Sequence, residues 1–317
     1  LKLNSIYIIM KKRRLKILIA DDMNPRGTGI LKKYFYVAQK AGISNEEILN
    51  NYNGYDALVI RSVRKIDENF LKKTGIGVIA TCSKGVDHID VKAAEKHGIK
   101  IFNSESGNTV SAAEHTVGMI LNILKRINLS DSLVRGGKFT DYKFSRFELS
   151  GKKAGIIGYG RVGSYTAKLL SAFNCRVFAN DNNPEVVKKY PDVDFRSASY
   201  IFGNCDIVSV HIPMSKANEN FISGRLIGKM KKDSILINTS RGGVMDEEFL
   251  IKFLQKGMIY FSGLDVFKNE PDINKRFGKL KNILLTNHIA GKTQESNVRI
   301  AEDIANTLLK HFEVNHK

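Results

Sequence analysis

Short apolar runs alternate with amphipathic stretches along the first part of the chain. The runs 16–21 (KILIAD), 57–61 (ALVIR) and 77–81 (GVIAT) have the length and composition of buried strands. Between them, 29–40 and 66–73 repeat apolar residues every three to four positions, the period of a surface helix. Strands and helices in this order predict a parallel sheet covered by helices.

From 109 to 129 (TVSAAEHTVGMILNILKRINL) the pattern changes to one long, strongly apolar helix, with Thr109 as its cap and Glu114 in its early turns. Such a helix suits a crossing between two domains. The polar, glycine-containing stretch 135–151 reads as a loop or arm. A second alternating series follows, with strands expected at 153–157, 176–180, 206–210, 234–238, 260–264 and 282–286. Six parallel strands of this kind make a doubly wound sheet. The fold class is therefore α/β, with two doubly wound parallel-sheet domains. A last helix, 293–312, lies beyond the final strand and can run back to the first domain. The expected boundaries are 1–108 with 292–317 for a discontinuous outer domain, 109–291 for the inserted one, and 1–14 for a disordered extension.

Composition narrows the class. At 317 residues there is room for two cores, and 43% hydrophobic with 26% charged residues is the balance of a soluble globular protein. No run approaches the roughly 20 apolar residues of a membrane span, so no membrane partner is expected. Cys82, Cys175 and Cys205 are far apart and odd in number, against a disulfide framework or a structural zinc site and in favour of a reducing cytoplasm. Near the start the basic run 11–14 follows the apolar run, the reverse of a secretory signal, and Met10 reads as a natural start. The formal net charge of +18 is spread along the chain rather than gathered in a block, so no nucleic-acid partner is expected. The field still favours anionic ligands.

Within the second series, Gly158, Gly160 and Gly163 (GYGRVG) follow a strand and open a helix. Glycines there let a pyrophosphate approach the helix N-terminus. Asp181 ends the next strand 18 residues after Gly163, close to the roughly 20 expected of the acid that holds a ribose. A carboxylate at that place repels a 2′-phosphate, and Asn182 and Asn183 supply no cation, which favours NAD. Lys188 and Lys189 leave NADP as the alternative.

Three further segments sit at expected strand ends: 238–243 (NTSRGG), 263–271 (GLDVFKNEP) and 286–291 (TNHIAG). Taken singly they carry little, since a histidine at a strand end is usually a polar loop residue and an Arg–Glu pair an ordinary surface contact. Together, and with His211-Ile212-Pro213 and the glycine turn, they resemble the D-isomer-specific 2-hydroxyacid dehydrogenase family. The resemblance runs from about Lys16 to the last helix, with the motifs in the family's order.

It implies a Rossmann NAD-binding domain inserted into a flavodoxin-like substrate domain. Arg241 would bind the substrate carboxylate and polarise the 2-keto oxygen, a task suited to a planar, permanently charged fork. His288 would exchange a proton with the 2-oxygen, and Glu270 would fix its tautomer and favour its charged form. Arg161 and Val162 of the glycine turn, His211 and Pro213, Thr239 and Ser240, Asp265 and Gly291 would line the cofactor, Asp265 by contact with the nicotinamide carboxamide. His97, His115, His311 and His316 read as surface or packing residues.

The first domain is similar to the 3-phosphoglycerate dehydrogenase branch in 59–65 (VIRSVRK), 80–90 (ATCSKGVDHID) and 104–115 (SESGNTVSAAEH). Arg61, Ser62 and Asn108 are then expected against the substrate, with Ser83, Lys84 and Gly85 beside them. Lys84 stands where the branch has a GTGVD-type turn, so it either adds a phosphate contact or marks a different acid. The branch's C-terminal regulatory domain, and feedback through it, are not expected.

The resemblance also implies a homodimer through 109–151. The leading expectation is oxidation of 3-phosphoglycerate for serine biosynthesis. Alternatives are reduction of glyoxylate, hydroxypyruvate or another 2-keto acid, and a non-catalytic, NAD-sensing corepressor-like protein. No metal is expected.

Overall fold

The computed structural model describes residues 14–139 and 144–314, so the expectations placed on 1–13, on 140–143 of the arm and on His316 lie outside the described residues. In chain order the first elements are β1 (Lys16–Ile19), α1 (Pro25–Tyr34), β2 (Tyr36–Gln39), α2 (Asn45–Asn51), β3 (Ala57–Ile60), α3 (Glu68–Lys73), β4 (Val78–Thr81), α4 (Val91–Lys96) and β5 (Lys100–Asn103). There follow α5 (Thr109–Lys125), α6 (Ile127–Arg135), β6 (Lys153–Ile157), α7 (Arg161–Ala172), β7 (Arg176–Asn180), α8 (Pro184–Lys189), α9 (Ala198–Asn204), β8 (Ile207–Val210), α10 (Gly224–Ile227), β9 (Ile235–Asn238), α11 (Glu247–Gln255), β10 (Phe261–Leu264), β11 (Ile283–Leu285) and α12 (Gln294–His311). Two compact units divide between Asn108 and Thr109 and again between Thr293 and Gln294.

The first unit holds a five-stranded parallel sheet in the order β2-β1-β3-β4-β5. Strand residues point alternately to opposite faces, so β1, β3 and β4 feed two cores. Ile17, Val59 and Ala80 pack with Leu31 of α1 and Ile304 and Leu308 of α12. Leu18, Leu58 and Ile79 pack with Phe70 and Leu71 of α3 on the other face. Each such aliphatic side chain, fully buried, stabilises the fold by about 1.5–3 kcal/mol. Gly27 lets α1 and α12 meet, because a Cβ there would stand 2.5 Å from the Ala301 carbonyl oxygen.

The helix expected at 29–40 is corrected by this sheet. α1 starts earlier, at Pro25, where the Asn24 side chain accepts from Arg26 N (3.0 Å), and it stops at Tyr34. Tyr36–Gln39 then forms an edge strand with only half-buried or exposed positions. β5, at the opposite edge, is not anticipated by the sequence pattern either; its Lys100 is exposed and the other three residues are half-buried.

In the second unit six parallel strands run in the order β11-β10-β9-β8-β6-β7. The chain crosses from β7 over β6 to β8, so the turn after β6 lies at the point where winding reverses, the usual ligand crevice of such sheets. α5 is a layer of this unit: Val117, Ile120, Ile123 and Leu124 share a core with Ile156 and Ile237. The single helix expected over 109–129 is interrupted at Arg126, which takes left-handed backbone (φ 56°) before α6 starts. Thr109 is the first helical residue, and its buried hydroxyl has no hydrogen-bond partner, so it is not the cap.

Candidate active site

Glycine chemistry shapes the turn after β6. Gly158 has φ +89°, and a Cβ there would stand 2.8 Å from the His211 carbonyl oxygen; at Gly163 a Cβ would stand 2.0 Å from the Gly158 oxygen. The turn is thereby pressed between β8 and α7. Gly160 caps α7 without a side-chain bond, and a Cβ there would meet nothing within 4 Å. Arg161 and Val162 are the first helical residues. Asp181 lies beside the turn, its Oδ2 accepting from Tyr159 N (2.7 Å) and its Oδ1 from Asn183 N (2.9 Å). A helix N-terminus opened by glycine, next to a carboxylate fixed by two backbone bonds, fits a pyrophosphate and its ribose. His211 packs its backbone on the turn, donating from N to Ile157 O (2.7 Å), while its Nε2 meets Ser209 Oγ (2.8 Å). Pro213 is exposed two residues on, its carbonyl accepting from Asn218 Nδ2 (2.9 Å).

Strand ends β9, β10 and β11 carry the other predicted residues. Asn238, 1% exposed, organises the segment after β9: its Oδ1 accepts from Ser240 N (3.0 Å) and Ser240 Oγ (2.8 Å), and its Nδ2 donates to Arg241 O (2.9 Å). Thr116 of α5 donates its one hydroxyl hydrogen to Ala112 O (2.7 Å), so at 2.8 Å it is Thr239 that donates to Thr116. Arg241 is half-buried and donates to Ser240 O (2.7 Å). At Gly242 a Cβ would stand 1.9 Å from the Phe267 carbonyl carbon, so the arginine turn rests directly on the segment leading to Glu270. Glu247 Oε1, in the first turn of α11, accepts from Lys268 N (2.7 Å) and fastens that segment a second time.

Glu270 accepts from Phe267 N at Oε1 (2.9 Å), and its Oε2 is 2.6 Å from His288 Nδ1. Burial pushes the Glu270 carboxyl up, but the bond from His288, the bond from Phe267 N and the charges of His288 and Arg241 outweigh it and hold the group below its ordinary range. An ionised carboxylate only accepts, so the His288 hydrogen sits on Nδ1 and Nε2 is left for a substrate oxygen. His288 itself has left-handed backbone (φ 55°), a conformation a non-glycine residue adopts at a cost of roughly 1–3 kcal/mol. Asp265 offsets that cost. Its carbonyl accepts from His288 N (2.8 Å), its Oδ1 from Ile289 N (2.9 Å) and Thr286 Oγ1 (2.6 Å), and its Oδ2 from Ala290 N (2.9 Å).

One expectation is corrected here. The sequence aims Asp265 at the nicotinamide, yet its carboxylate is 0% exposed and turned inward to hold the histidine loop. His115, expected on the surface or in packing, stands on α5 with Nε2 3.2 Å from Thr286 Oγ1 and 3.7 Å from Asp265 Oδ1. Thr286 and Thr116 join this network without a distinctive signal in the sequence, because a hydroxyl near a strand end or within a helix is common. Gly291 follows the loop, half-buried.

The predicted substrate residues belong to the first unit. Arg61, just beyond β3, donates its amide to Asp21 Oδ2 (2.9 Å). Its guanidinium makes no hydrogen bond or ion pair among the described residues, and it lines a small pocket with Asp22, Asn24, Cys82 and Asn297. Burial pushes the Cys82 thiol up to about 12, against the pull of the Arg61 charge. Arg64 is used differently: paired with Asp21 at 2.7 Å, both side chains 8% exposed, it also donates to Ala20 O (3.1 Å) and Ile43 O (2.7 Å). Removing one partner of a buried pair of this kind costs about 3–5 kcal/mol. Ser83, expected against the substrate, donates its hydroxyl hydrogen to Gly85 O (2.7 Å) within the loop. Ser62 and Lys84 are exposed, and Asn108 Oδ1 is buried without a hydrogen-bond partner.

Among the described residues no group of three or more His, Cys, Asp or Glu side chains could hold a metal ion, and no helix is long and apolar enough to cross a membrane.

Residues 117–290 match the family model of the D-isomer specific 2-hydroxyacid dehydrogenase, NAD binding domain. The chain is 33% identical over 294 residues to a D-3-phosphoglycerate dehydrogenase of Synechocystis sp., a match covering 92% of this chain and 53% of that one. It thus spans about half the length of that relative, and 57% of a second D-3-phosphoglycerate dehydrogenase, from Archaeoglobus fulgidus, to which it is 34% identical over 92% of this chain. With a glyoxylate reductase of Thermofilum pendens the identity is 38% over 274 residues, covering 84% of this chain and 81% of the other. A crystallised 2-hydroxyacid dehydrogenase from Ketogulonicigenium vulgare superimposes with a TM-score of 0.83 at 26% identity, over 96% of each chain.

Proposed function

Because the chain belongs to the D-isomer specific 2-hydroxyacid dehydrogenases, we propose that it moves a hydride between NAD and the C2 carbon of a D-2-hydroxy acid, oxidising 3-phosphoglycerate to 3-phosphohydroxypyruvate for serine biosynthesis. The observation that carries the reaction is the 2.6 Å contact of His288 with Glu270, beside Arg241, at strand ends of the sheet that also bears the glycine turn. Bound NAD supplies the hydride acceptor. His288 Nε2 takes the proton of the 2-hydroxyl as the carbonyl forms, and Glu270 stabilises the resulting imidazolium through Nδ1. Arg241 holds the carboxylate and draws charge from the 2-oxygen. Gly158, Gly160 and the first amides of α7 hold the pyrophosphate, and Asp181 the ribose.

Support for a phosphorylated acid comes from Arg61. A guanidinium with no protein partner among the described residues is available to a phosphate in a way that Arg64, committed to Asp21, is not. A specific observation favours a second reading, reduction of glyoxylate or hydroxypyruvate: the Thermofilum pendens glyoxylate reductase matches at higher identity and over more of its own length than the phosphoglycerate dehydrogenases. NADH formation from 3-phosphoglycerate, measured beside NADH consumption with glyoxylate and hydroxypyruvate and repeated with NADP, separates them. Turnover of the unphosphorylated acids alone removes the first reading.

A homodimer through 109–151 belongs to the same reading. α6 buries none of its residues, and Ile127 (52%), Val134 (53%) and Phe139 (77%) leave an apolar surface that a second copy would cover. Light scattering of the purified chain measures it; a monomer at micromolar concentration ends that part.

A further inference from the structure

We propose that His115 is a positioning residue, a hydrogen-bond donor that acts through Thr286 and Asp265 to hold the loop presenting His288. The proposal rests on the catalytic role given to His288 above, but its geometry does not depend on the identity of the acid.

A threonine hydroxyl has one hydrogen to give. Thr286 gives it to Asp265 Oδ1 at 2.6 Å, so the 3.2 Å contact between Thr286 Oγ1 and His115 Nε2 requires the imidazole to be the donor. That fixes the tautomer of His115, with hydrogen on Nε2. Burial lowers its pKa against the opposing pull of Asp265, in keeping with a neutral ring. Donation therefore runs one way, from His115 to Thr286 to Asp265, and each bond polarises the next.

The end of this chain is where the consequence lies. Asp265 is a carboxylate with 0% exposure, and a buried charge depends on all its hydrogen bonds. The same two oxygens accept from Ile289 N and Ala290 N, the residues that follow His288 and its left-handed backbone. A leucine at 115 would fill similar space while leaving the Thr286 hydroxyl without its donor. The hydroxyl could then rotate away from Asp265, and the loop would lose part of its anchor. Since His115 reaches the reaction only through Thr286 and Asp265, its effect should appear in loop order before it appears in ligand affinity.

The test compares wild type, H115L, H115Q and T286V as full-length, cofactor-free proteins, following hydrogen exchange at the Ile289 and Ala290 amides. H115L should speed exchange there by roughly 3- to 10-fold, the loss of one hydrogen bond, and lower kcat by a similar factor with KM within about twofold. H115Q, whose amide can donate to Thr286, should restore both. H115L combined with T286V should be no worse than T286V alone, because the two remove the same chain. Should H115L fail to fold, T286V against wild type reads the chain from its other side. Unchanged exchange in a folded H115L or T286V, failure of H115Q to rescue a folded H115L, or full additivity in the double variant would each overturn the proposal. Exchange needs no turnover, so a wild type inactive on every 2-hydroxy acid would defeat the proposed function while the amides still decide this inference.

Discussion

At the strand ends of the six-stranded sheet, polar side chains are tied to backbone: Asn238 to Ser240 and Arg241, Glu270 to Phe267, Asp265 to Ile289 and Ala290. At the strand ends of the five-stranded sheet, Arg64 is locked on Asp21 while the Arg61 guanidinium beside it has no protein partner among the described residues. Under the proposed function the difference matches two kinds of work. Moving a proton and a hydride needs groups held within a few tenths of an ångström, because a shift of about 1 Å can cost a hundredfold in rate. Reading a charged substituent asks only for an available cation at roughly the right place.

The contrast is broken most severely at His288. His288→Ala should lower turnover by about 10²- to 10⁴-fold while NADH binding, followed by its fluorescence, is retained. Unchanged turnover would remove His288 from acid–base chemistry and leave the rigid region without a purpose.

Glu270→Gln comes next, with kcat expected to fall by about 10- to 100-fold through loss of a hydrogen bond between charged groups. The same residue has a pH signature. Its folded carboxyl is held below the ordinary 4.5, so its stabilising contribution is complete above 4.5 and disappears as pH falls further, through the folded value. Acid melts of wild type and Glu270→Gln should diverge above that window and converge below it. Parallel curves throughout would mean that the pair does not form in solution.

Arg61→Ala sharpens the other side of the comparison. It should reduce kcat/KM for 3-phosphoglycerate by about tenfold or more and leave glyoxylate within about twofold. Equal losses on both acids would make Arg61 structural, like its neighbour.

The smallest effect is at His115. Burial keeps its folded pKa below 6.5, so below that pH the unfolded chain binds more protons and stability falls as pH drops. His311, lowered by burial and by Lys100, adds to the slope. Urea unfolding on either side of pH 6.5 should therefore show a shallower slope in H115L, and an identical slope would show that His115 titrates as an exposed ring.

Much of the architecture was legible because strands buried on both faces leave an unmistakable run of apolar residues. Ala57–Ile60, Val78–Thr81 and Ile235–Asn238 are of this kind and fall where the pattern predicts them. Tyr36–Gln39 and Lys100–Asn103 are edge strands of four residues, too short and too exposed to differ from helical or loop spacing. The end of α5 was equally hidden. Arg126 can leave the helix because its guanidinium lies over Tyr260 (4.8 Å) and Phe261 (4.5 Å), partners 134 and 135 positions away.

By itself, then, the sequence determined the strands buried on both faces, the glycine turn with Asp181 after it, and which side chains carry functional groups suited to a hydride-transfer site. Those depend on local backbone preference and on functional groups, both written in neighbouring residues. Only the tertiary structure decided what each group does with its hydrogen bonds: that Arg64 is committed and Arg61 is not, that Asp265 faces inward, and that His115 donates to Thr286. A hydrogen bond links atoms from remote parts of the chain at about 3 Å, and only the folded backbone brings those atoms together.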